Sequence, residues 1–210
     1  MKIAVVGASG RTGSLVVEQA LARGHDAIAL ARRPETVTAQ DPRLVARACD
    51  VLDPASVARG LEGCDAVVSA LGIGASRAPT TVYSEGVANI VSAMASHSIR
   101  RIAVVSAAPV GPREEQAFFE RRVLMPILEQ FFGATYDDMR RMEEVLQRSE
   151  NDWISVRPPR LLDNPATGSY RIGIAPQPQS RSITYGDLAT ALLDSLDRPR
   201  FYAKAVFVAN

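Results

Sequence analysis

Short apolar runs alternate along the chain with longer segments in which hydrophobic residues recur every three or four positions. A short apolar run is typical of a buried strand, and the longer spacing is typical of an amphipathic helix. Strands that alternate with helices predict β-α-β units and a parallel sheet. The predicted strands span 1–6, 26–31, 44–48, 64–70, 101–106, 152–157, 170–175 and 203–208, and the predicted helices span 14–23, 53–61, 80–96, 136–149 and 185–196.

This order of elements predicts one α/β domain over residues 1–210, a doubly wound parallel sheet of the Rossmann type flanked by helices. The 210 residues suffice for one such domain with a full core. Right-handed crossovers give the strand order 3-2-1-4-5-6 with an added edge strand. Prolines and a glycine punctuate residues 108–133, which we predict to be irregular. Ligands are expected across the carboxyl ends of the strands.

Three glycines, at positions 7, 10 and 13, follow the first predicted strand directly and precede the first helix. Gly7 permits the positive φ that a sharp turn needs. Gly10 lets the backbone approach a pyrophosphate closely, and Gly13 lets the helix lie against the strand. A glycine-rich turn in this position predicts a dinucleotide site, whereas glycines in another context would indicate only a tight turn.

Polar residues between these glycines fit the same site. The start of a helix has unpaired N–H groups and a partial positive charge, so it attracts an anion. Ser9 and Thr12 add hydroxyl donors, and Arg11 adds a positive charge near the expected phosphates.

Two arginines, Arg32 and Arg33, follow the second predicted strand, where an NAD-binding protein usually has Asp or Glu. A guanidinium binds a 2′-phosphate in a bidentate manner but gains little from a 2′-hydroxyl. The pair therefore favours NADP(H) as the cofactor; the alternative is a solvated basic turn.

The next two strand ends supply further candidates for cofactor binding. After the third strand, Asp50 is placed to accept a hydrogen bond from the adenine amino group, and Val51 is placed to pack on the ring. Asp50 and Asp53 would alternatively only cap the next helix. Leu71 and Gly72 follow the fourth strand, where small residues let the backbone pass beside a ribose.

Two residues are candidates for catalysis. Ser106 follows the fifth strand, close to the expected nicotinamide, although a serine there is more often a turn residue. Tyr136 and Arg140 lie four residues apart and would share a helix face. Short-chain dehydrogenases place Tyr and Lys at this spacing for proton transfer, but a packed aromatic residue is the more ordinary interpretation.

Composition excludes several classes of protein. The net charge is +1, and the chain has no basic tract, so we expect no nucleic-acid partner. No apolar run approaches the length of about 20 residues that a membrane span needs. Two cysteines and two histidines indicate neither a disulfide framework nor a metal site. We expect a cytoplasmic monomer or homodimer with a small-molecule acceptor.

Large apolar residues concentrate in the irregular segment that precedes the predicted helix 136–149. They would form a lid over a flat ligand, or alternatively a satellite core or a dimer contact. They are Phe118, Phe119, Met125, Phe131 and Phe132.

The chain resembles the atypical short-chain reductases of the NAD(P)H-binding group that includes flavin reductase/biliverdin-IXβ reductase. The resemblance rests on the glycine turn at 7–13, on Arg32, on Asp50-Val51, on segments 80–90 and 137–142, and on Thr167-Gly168-Ser169-Tyr170 after Pro158-Pro159. Two positions where that reductase carries histidines are Met139 and Arg160 here.

The resemblance implies one Rossmann domain and NADPH as hydride donor. It places Gly10, Thr12, Arg32, Asp50, Val51, Arg77 and Ser106 near the cofactor. It implies hydride delivery to a flavin, tetrapyrrole, quinone or similar conjugated acceptor, in a reaction that proximity largely drives. The alternative is a redox-sensing protein that binds NADP(H) without turnover.

Overall fold

The structure, a computed structural model, describes residues 1–74, 78–111, 125–176 and 181–210. The strands are β1 (Lys2–Val6), β2 (Asp26–Ala31), β3 (Leu44–Ala48), β4 (Ala66–Ser69), β5 (Arg101–Val105), β6 (Asp152–Arg157), β7 (Arg160–Leu162), β8 (Arg171–Gly173), β9 (Ser182–Thr184) and β10 (Lys204–Ala209). The helices are α1 (Arg11–Ala22), α2 (Pro54–Leu61), α3 (Ser84–Ser96), α4 (Met125–Gln147) and α5 (Tyr185–Ser195).

Eight of the strands form one sheet in the order β3-β2-β1-β4-β5-β6-β10-β8. All neighbours pair in parallel except β10 and β8, which are antiparallel. β7 and β9 form a separate parallel pair. The predicted order of the first six strands and the doubly wound α/β architecture are confirmed, while one domain over the whole chain stays a prediction.

Alternation along β1 divides the core between the two faces of the sheet. Ile3 and Val5 point to one face and pack with apolar residues of α1 and α5. Ala4 and Val6 point to the other face and pack with residues of α2, α3 and α4. Successive side chains of a strand face opposite ways, so a central parallel strand that is covered by helices on both sides reads as a continuous apolar run.

Helix α4 begins earlier than the sequence predicts. Residues 125–133 are helical, although the prolines and the glycine there predicted an irregular segment. Pro126 is the second residue of the helix, where its missing N–H is not needed. Gly133 lies inside the helix at the modest conformational cost that glycine imposes there.

Two other elements differ from the predicted ones. Helix α3 begins at Ser84 and not at residue 80, because the carboxylate of Asp138 accepts hydrogen bonds from the N–H groups of Tyr83 and Ser84 at 2.9 and 3.4 Å. The pair β7–β9 was not predicted, because strands of three residues are too short to show an alternating pattern.

Among the helices of the described residues, none combines the length and apolar character that a membrane span requires.

We predict that Gly13→Ala strongly destabilises the fold. A Cβ at Gly13 would lie 2.2 Å from the carbonyl oxygen of Gly7, and backbone atoms on both sides cannot move apart cheaply. The free energy of unfolding should fall by about 3 kcal/mol, as measured by denaturant unfolding. Gly133→Ala is the matched control, because a Cβ there meets nothing within 4 Å, and it should stabilise helix α4 slightly. Equal stability of the two variants would contradict this account.

Candidate functional site

The carboxyl ends of the parallel strands bring the candidate residues to one edge of the sheet. Along this edge, the strand order places the residues after β3, β2, β1, β4 and β5 side by side. Neighbouring strands lie about 4.8 Å apart, so these five ends span roughly 19 Å. The connection reverses direction between β1 and β4, which is where an open α/β sheet forms its binding crevice.

The turn after β1 is held by backbone contacts that only glycine permits. Gly7 has φ +79°, and a Cβ there would lie 2.6 Å from the carbonyl oxygen of Ala70. The N–H groups of Gly7 and Ala8 both donate to the carbonyl oxygen of Leu30, at 3.0 and 3.2 Å. The turn is therefore fixed between β2 and β4, and α1 starts directly above the crevice.

The N-terminus of α1 lacks a capping side chain. Its N-cap residue, Gly10, makes no side-chain hydrogen bond, and the first turn of α1 contains no acidic residue. A Cβ at Gly10 would meet only the carbonyl oxygen of Gly7, at 3.3 Å, so the outer side of the turn is open. These features leave the N–H groups and the positive end of the helix dipole available to an anion.

The polar residues of the turn differ in their exposure and in their contacts. Ser9 is exposed and Thr12 is half-buried, both at the start of α1. The Nη1 of Arg11 lies 3.0 Å from the Asp163 carboxylate, and its guanidinium lies 5.6 Å from the centre of the Tyr185 ring. Arg11 therefore already has an anionic partner, a contact across 152 positions that the sequence did not reveal.

Arg32 and Arg33 lie directly after β2, one strand from the glycine turn, and both side chains are exposed. The carbonyl oxygen of Arg33 accepts hydrogen bonds from the N–H and the hydroxyl of Thr36, at 3.1 and 2.6 Å, which closes a short 3-10 turn. A polar cleft beside this turn is lined in part by Ser9 and Thr38. Thr36 of this turn also lines the cleft, whereas neither arginine is among its lining residues.

Asp50 and Val51 follow β3 as predicted. The Asp50 carboxylate accepts from the N–H of Leu52 at 3.0 Å, so it closes its own turn, while Asp53 caps α2 by accepting from Ala55 at 3.0 Å. Val51 is buried, because α3 packs on it: a Cβ at Gly86 would lie 2.7 Å from its Cγ2. Helix α3 thus supports the floor on which a planar ring would pack.

Leu71 and Gly72 follow β4 on the other side of the glycine turn. Leu71 is half-buried and Gly72 is exposed, and a Cβ at Gly72 would meet nothing within 4 Å. The backbone at Gly72 is therefore open to a neighbouring group. Arg77, which only the family resemblance implicated, lies outside the described residues, as do Phe118 and Phe119.

Ser106 has an unusual position at the end of β5. Its N–H donates to the carbonyl oxygen of Val156 at 2.8 Å, and the residue is 2 % exposed. Its Oγ is the one buried side-chain oxygen or nitrogen without a hydrogen-bond partner among the described residues. Leaving a buried hydroxyl unpaired costs about 1–3 kcal/mol, so it suggests a partner absent from the isolated chain.

Tyr136 and Arg140 share a face of α4, but the arginine is engaged elsewhere. Arg140 Nη1 donates to Asp137 at 2.7 Å, and Nη2 donates to the carbonyl oxygen of Pro109 at 3.4 Å. The Tyr136 ring packs on Phe132, with 6.2 Å between ring centres. Burial raises the pKa of Tyr136, and the Arg140 charge only partly offsets this. The shift is opposite to the one that proton transfer near neutral pH would need.

Two buried carboxylates of α4 were not identified from the sequence as site residues. Asp138 is fully buried and accepts from the hydroxyl of Ser84 and from Arg141 at 3.1 Å. Glu143 is 6 % exposed by side chain and pairs with Arg157 at 2.5 Å. From the sequence, their position on the apolar face of an amphipathic helix could have predicted that both carboxylates are buried. It could not have identified the residues that pair with them.

A third buried carboxylate, Asp187, holds the Thr-Gly-x-Tyr segment. It accepts from the N–H and hydroxyl of Thr167, both at 2.9 Å, from Thr184 at 2.8 Å and from Asn210 at 2.8 Å. Burial by itself raises the pKa of Asp187, but these hydrogen bonds outweigh that effect and hold it below the ordinary 3.8. The segment 167–170, which carries part of the family resemblance, thus holds the side chain of Asn210 through hydrogen bonds from Asn210 to Thr167 and Ser169.

Comparison with known proteins agrees with this geometry. The sequence profile of the NAD(P)H-binding family matches residues 7–199, so the chain belongs to that family. The chain is similar to the uncharacterized protein YwnB of Bacillus subtilis (strain 168), at 27% identity over 95% of this chain and 93% of that protein.

Solved structures share the fold over the whole chain. The oxidoreductase ylbE of Lactococcus lactis has 23% identity and TM-score 0.85, with 91% of that chain covered. A protein of Streptococcus pneumoniae TIGR4 that is provisionally described as an NADH-flavin reductase has 22% identity and TM-score 0.80, with 99% covered. A short-chain dehydrogenase/reductase of Veillonella parvula in complex with NADP has 17% identity and TM-score 0.79, with 94% covered.

These findings confirm the resemblance to the NAD(P)H-binding family and show that the chain shares its fold with a short-chain dehydrogenase/reductase and a flavin-reductase-like protein.

We predict that Asp187→Asn lowers the free energy of unfolding at pH 7 by about 2–3 kcal/mol, because it replaces one acceptor oxygen with an NH2 donor that faces N–H and O–H donors. The depressed pKa contributes stability above the unfolded value of 3.8, and this is lost as pH falls toward the folded value. The gap between wild type and variant should therefore narrow from pH 7 to pH 3 in denaturant unfolding.

Asp197→Asn is the control for this experiment, because that carboxylate is 64% exposed and forms a surface pair with Arg101. It should change stability by less than about 1 kcal/mol. A pH-independent gap for Asp187→Asn would contradict the assigned role.

Proposed function

We propose that the protein is an NADPH-dependent reductase that transfers hydride to a small conjugated acceptor. The observation that carries the proposal is the buried, unpaired hydroxyl of Ser106 at the end of β5, two strands from the glycine turn. Such a hydroxyl gains a hydrogen bond when a polar atom of a ligand reaches it. Its place at the crevice edge suits the reacting end of an extended dinucleotide.

The residues present fit a dinucleotide. The open N-terminus of α1 would hold the diphosphate, with Ser9, Thr12 and the backbone at Gly10 as donors. Val51 would pack on the adenine ring, and Leu71 and Gly72 would flank a ribose. The bound cofactor supplies two electrons and a proton as hydride, while the protein positions the acceptor and excludes water.

The exposed pair Arg32 and Arg33 supports NADP(H) over NAD(H). Both are exposed at the end of β2, and among the described residues neither side chain has an ion-pair partner that would neutralise it. A 2′-phosphate would supply that partner, whereas a 2′-hydroxyl would not. The Veillonella neighbour was solved with NADP, and the Streptococcus neighbour is described with NADH.

The choice of a conjugated acceptor rests on the lack of an activated acid in the candidate residues. The raised pKa of Tyr136 keeps its phenol protonated but makes it a weak proton donor. An acceptor that delocalises the incoming electron pair, such as a flavin or quinone, needs little acid catalysis and reacts through proximity to the nicotinamide. A hydrogen bond from Ser106 would orient such an acceptor.

A non-catalytic NADP(H) sensor is the second candidate. The observation that favours it is the low exposure of Ser106, at 2 %, because a sensor needs no open acceptor site there. In that case the hydroxyl would pair with the cofactor itself, and no acceptor would be reduced.

We predict that the double substitution Arg32→Ala/Arg33→Ala weakens NADPH binding by about 10–100-fold, since a hydrogen bond to a charged group is worth roughly 1.5–3 kcal/mol. NADH binding should change less than threefold. Calorimetry with both cofactors measures this, and Arg148→Ala is the control, because that side chain is 79% exposed near the opposite edge of the sheet. Equal losses for NADPH and NADH would refute the 2′-phosphate assignment.

We predict that Ser106→Ala has opposite effects on stability and turnover. Removing an unpaired buried hydroxyl should raise the free energy of unfolding by about 1 kcal/mol, and losing an orienting hydrogen bond should lower kcat/KM about tenfold. The measurements are denaturant unfolding and NADPH oxidation with FMN, a naphthoquinone, a tetrapyrrole and a simple aldehyde.

Tyr136→Phe is the comparison variant and should stay within a few-fold of wild type. A loss of about a hundredfold would restore a proton-transfer role for Tyr136. Tight NADPH binding without turnover of any acceptor would favour the sensor.

A further inference from the structure

The ion pair between Glu143 and Arg157 lies inside the protein beneath the carboxyl edge of the sheet. The Oε1 of Glu143 accepts from Arg157 Nε at 3.0 Å and from the Ser155 hydroxyl at 2.7 Å, and Oε2 accepts from Arg157 Nη2 at 2.5 Å. The side chains of Arg157 and Glu143 are 11% and 6% exposed. Apolar residues of similar size often stabilise such a position at least as well, so a buried pair suggests a demand for exact placement.

Arg157 ends β6, and the residues on either side of it hold the strand end that carries Ser106. The carbonyl oxygen of Val156 accepts from the N–H of Ser106 at 2.8 Å, and that of Pro158 accepts from the N–H of Ala108 at 2.8 Å. The position of the Arg157 backbone therefore fixes where the backbone of Ser106 lies.

The same guanidinium supports the far end of this segment. A Cβ at Gly111 would lie 2.7 Å from Cζ of Phe207 and 3.2 Å from Nη1 of Arg157. The Arg157 guanidinium also lies 5.4 Å from the centre of the Phe207 ring. Gly111 thus packs closely on the guanidinium and the ring, and residues 106–111 are held at both ends.

We propose that Glu143 and Arg157 are positioning residues that act through Ser106. Helix α4 supplies Glu143, which locks the Arg157 side chain, and Arg157 in turn fixes residues 106–111. The pair itself touches neither cofactor nor acceptor. This inference rests on the proposed function for its kinetic consequence, whereas the fixed backbone is a property of the protein alone.

The first test measures the backbone directly. Glu143→Gln keeps the shape of the side chain but removes the charge, so amide hydrogen exchange at residues 106, 108, 110 and 111 should become about tenfold faster. The four amides donate at 2.8, 2.8, 3.0 and 3.2 Å in the structure. Exchange in β1 and α1 should not change, which separates a local effect from general destabilisation.

Glu144→Gln is the matched control, because this neighbour on α4 is 58% exposed and pairs only loosely with Arg148, at 3.5 Å. It should leave exchange at all four amides unchanged. If Glu143→Gln fails to fold, Arg157→Lys gives the same test, since Lys keeps the charge but cannot make the two-point contact. Unchanged exchange at the four amides in the folded variant would overturn the proposal.

The second test asks whether the pair acts through Ser106. In the wild-type background, Glu143→Gln should lower kcat for an accepted quinone about tenfold and leave the Kd for NADPH within twofold. In the Ser106→Ala background, Glu143→Gln should have no further effect on kcat, because the group that it positions is gone.

Additive losses in kcat would overturn positioning through Ser106. Absence of turnover by the wild-type protein would count against the proposed function only, and the exchange experiment would then decide the role of the pair.

Discussion

The contact between two backbone segments at the end of β1 sets the geometry of the site. Gly13 lies so close to the carbonyl of Gly7, and Gly7 so close to that of Ala70, that a methyl group at either would fall within 2.6 Å of an oxygen atom. This contact seats α1 on the sheet against β1 and β2. The N-terminus of the helix therefore opens onto the crevice where the strand order reverses, and an anion meets N–H groups that the fold leaves unpaired.

The local pattern of the sequence predicts the central part of the fold. Each central strand is a short apolar run because both faces of a parallel sheet are covered, and the order of the first six strands follows from short right-handed connections. The position of the glycine turn between a strand and a helix predicts the candidate cofactor site as well. The structure places Arg32, Asp50 and Ser106 along that same edge, each at the end of a parallel strand.

Contacts between distant residues could not be predicted from one sequence. Arg11 lies beside Asp163, and Asp138 binds the start of α3 from 54 residues away. Spacing along a helix shows that a carboxylate faces the core, but its partner depends on how helices pack on the sheet. The length of α4 was missed for a related reason, because Pro126 is compatible with a first helical turn and its local signal alone does not show this.

The buried polar groups of the site divide into paired and unpaired ones, and the division bears on the chemistry. Asp138, Glu143 and Asp187 each accept several hydrogen bonds, so their oxygen atoms find donors within the fold. Ser106 alone among the described buried side chains leaves a polar atom without a partner. Stability would favour an alanine there, since the unpaired hydroxyl costs free energy in the isolated chain. We infer that a ligand completes the hydrogen bond of this serine, and in that case the reacting end of the crevice would lie beside β5.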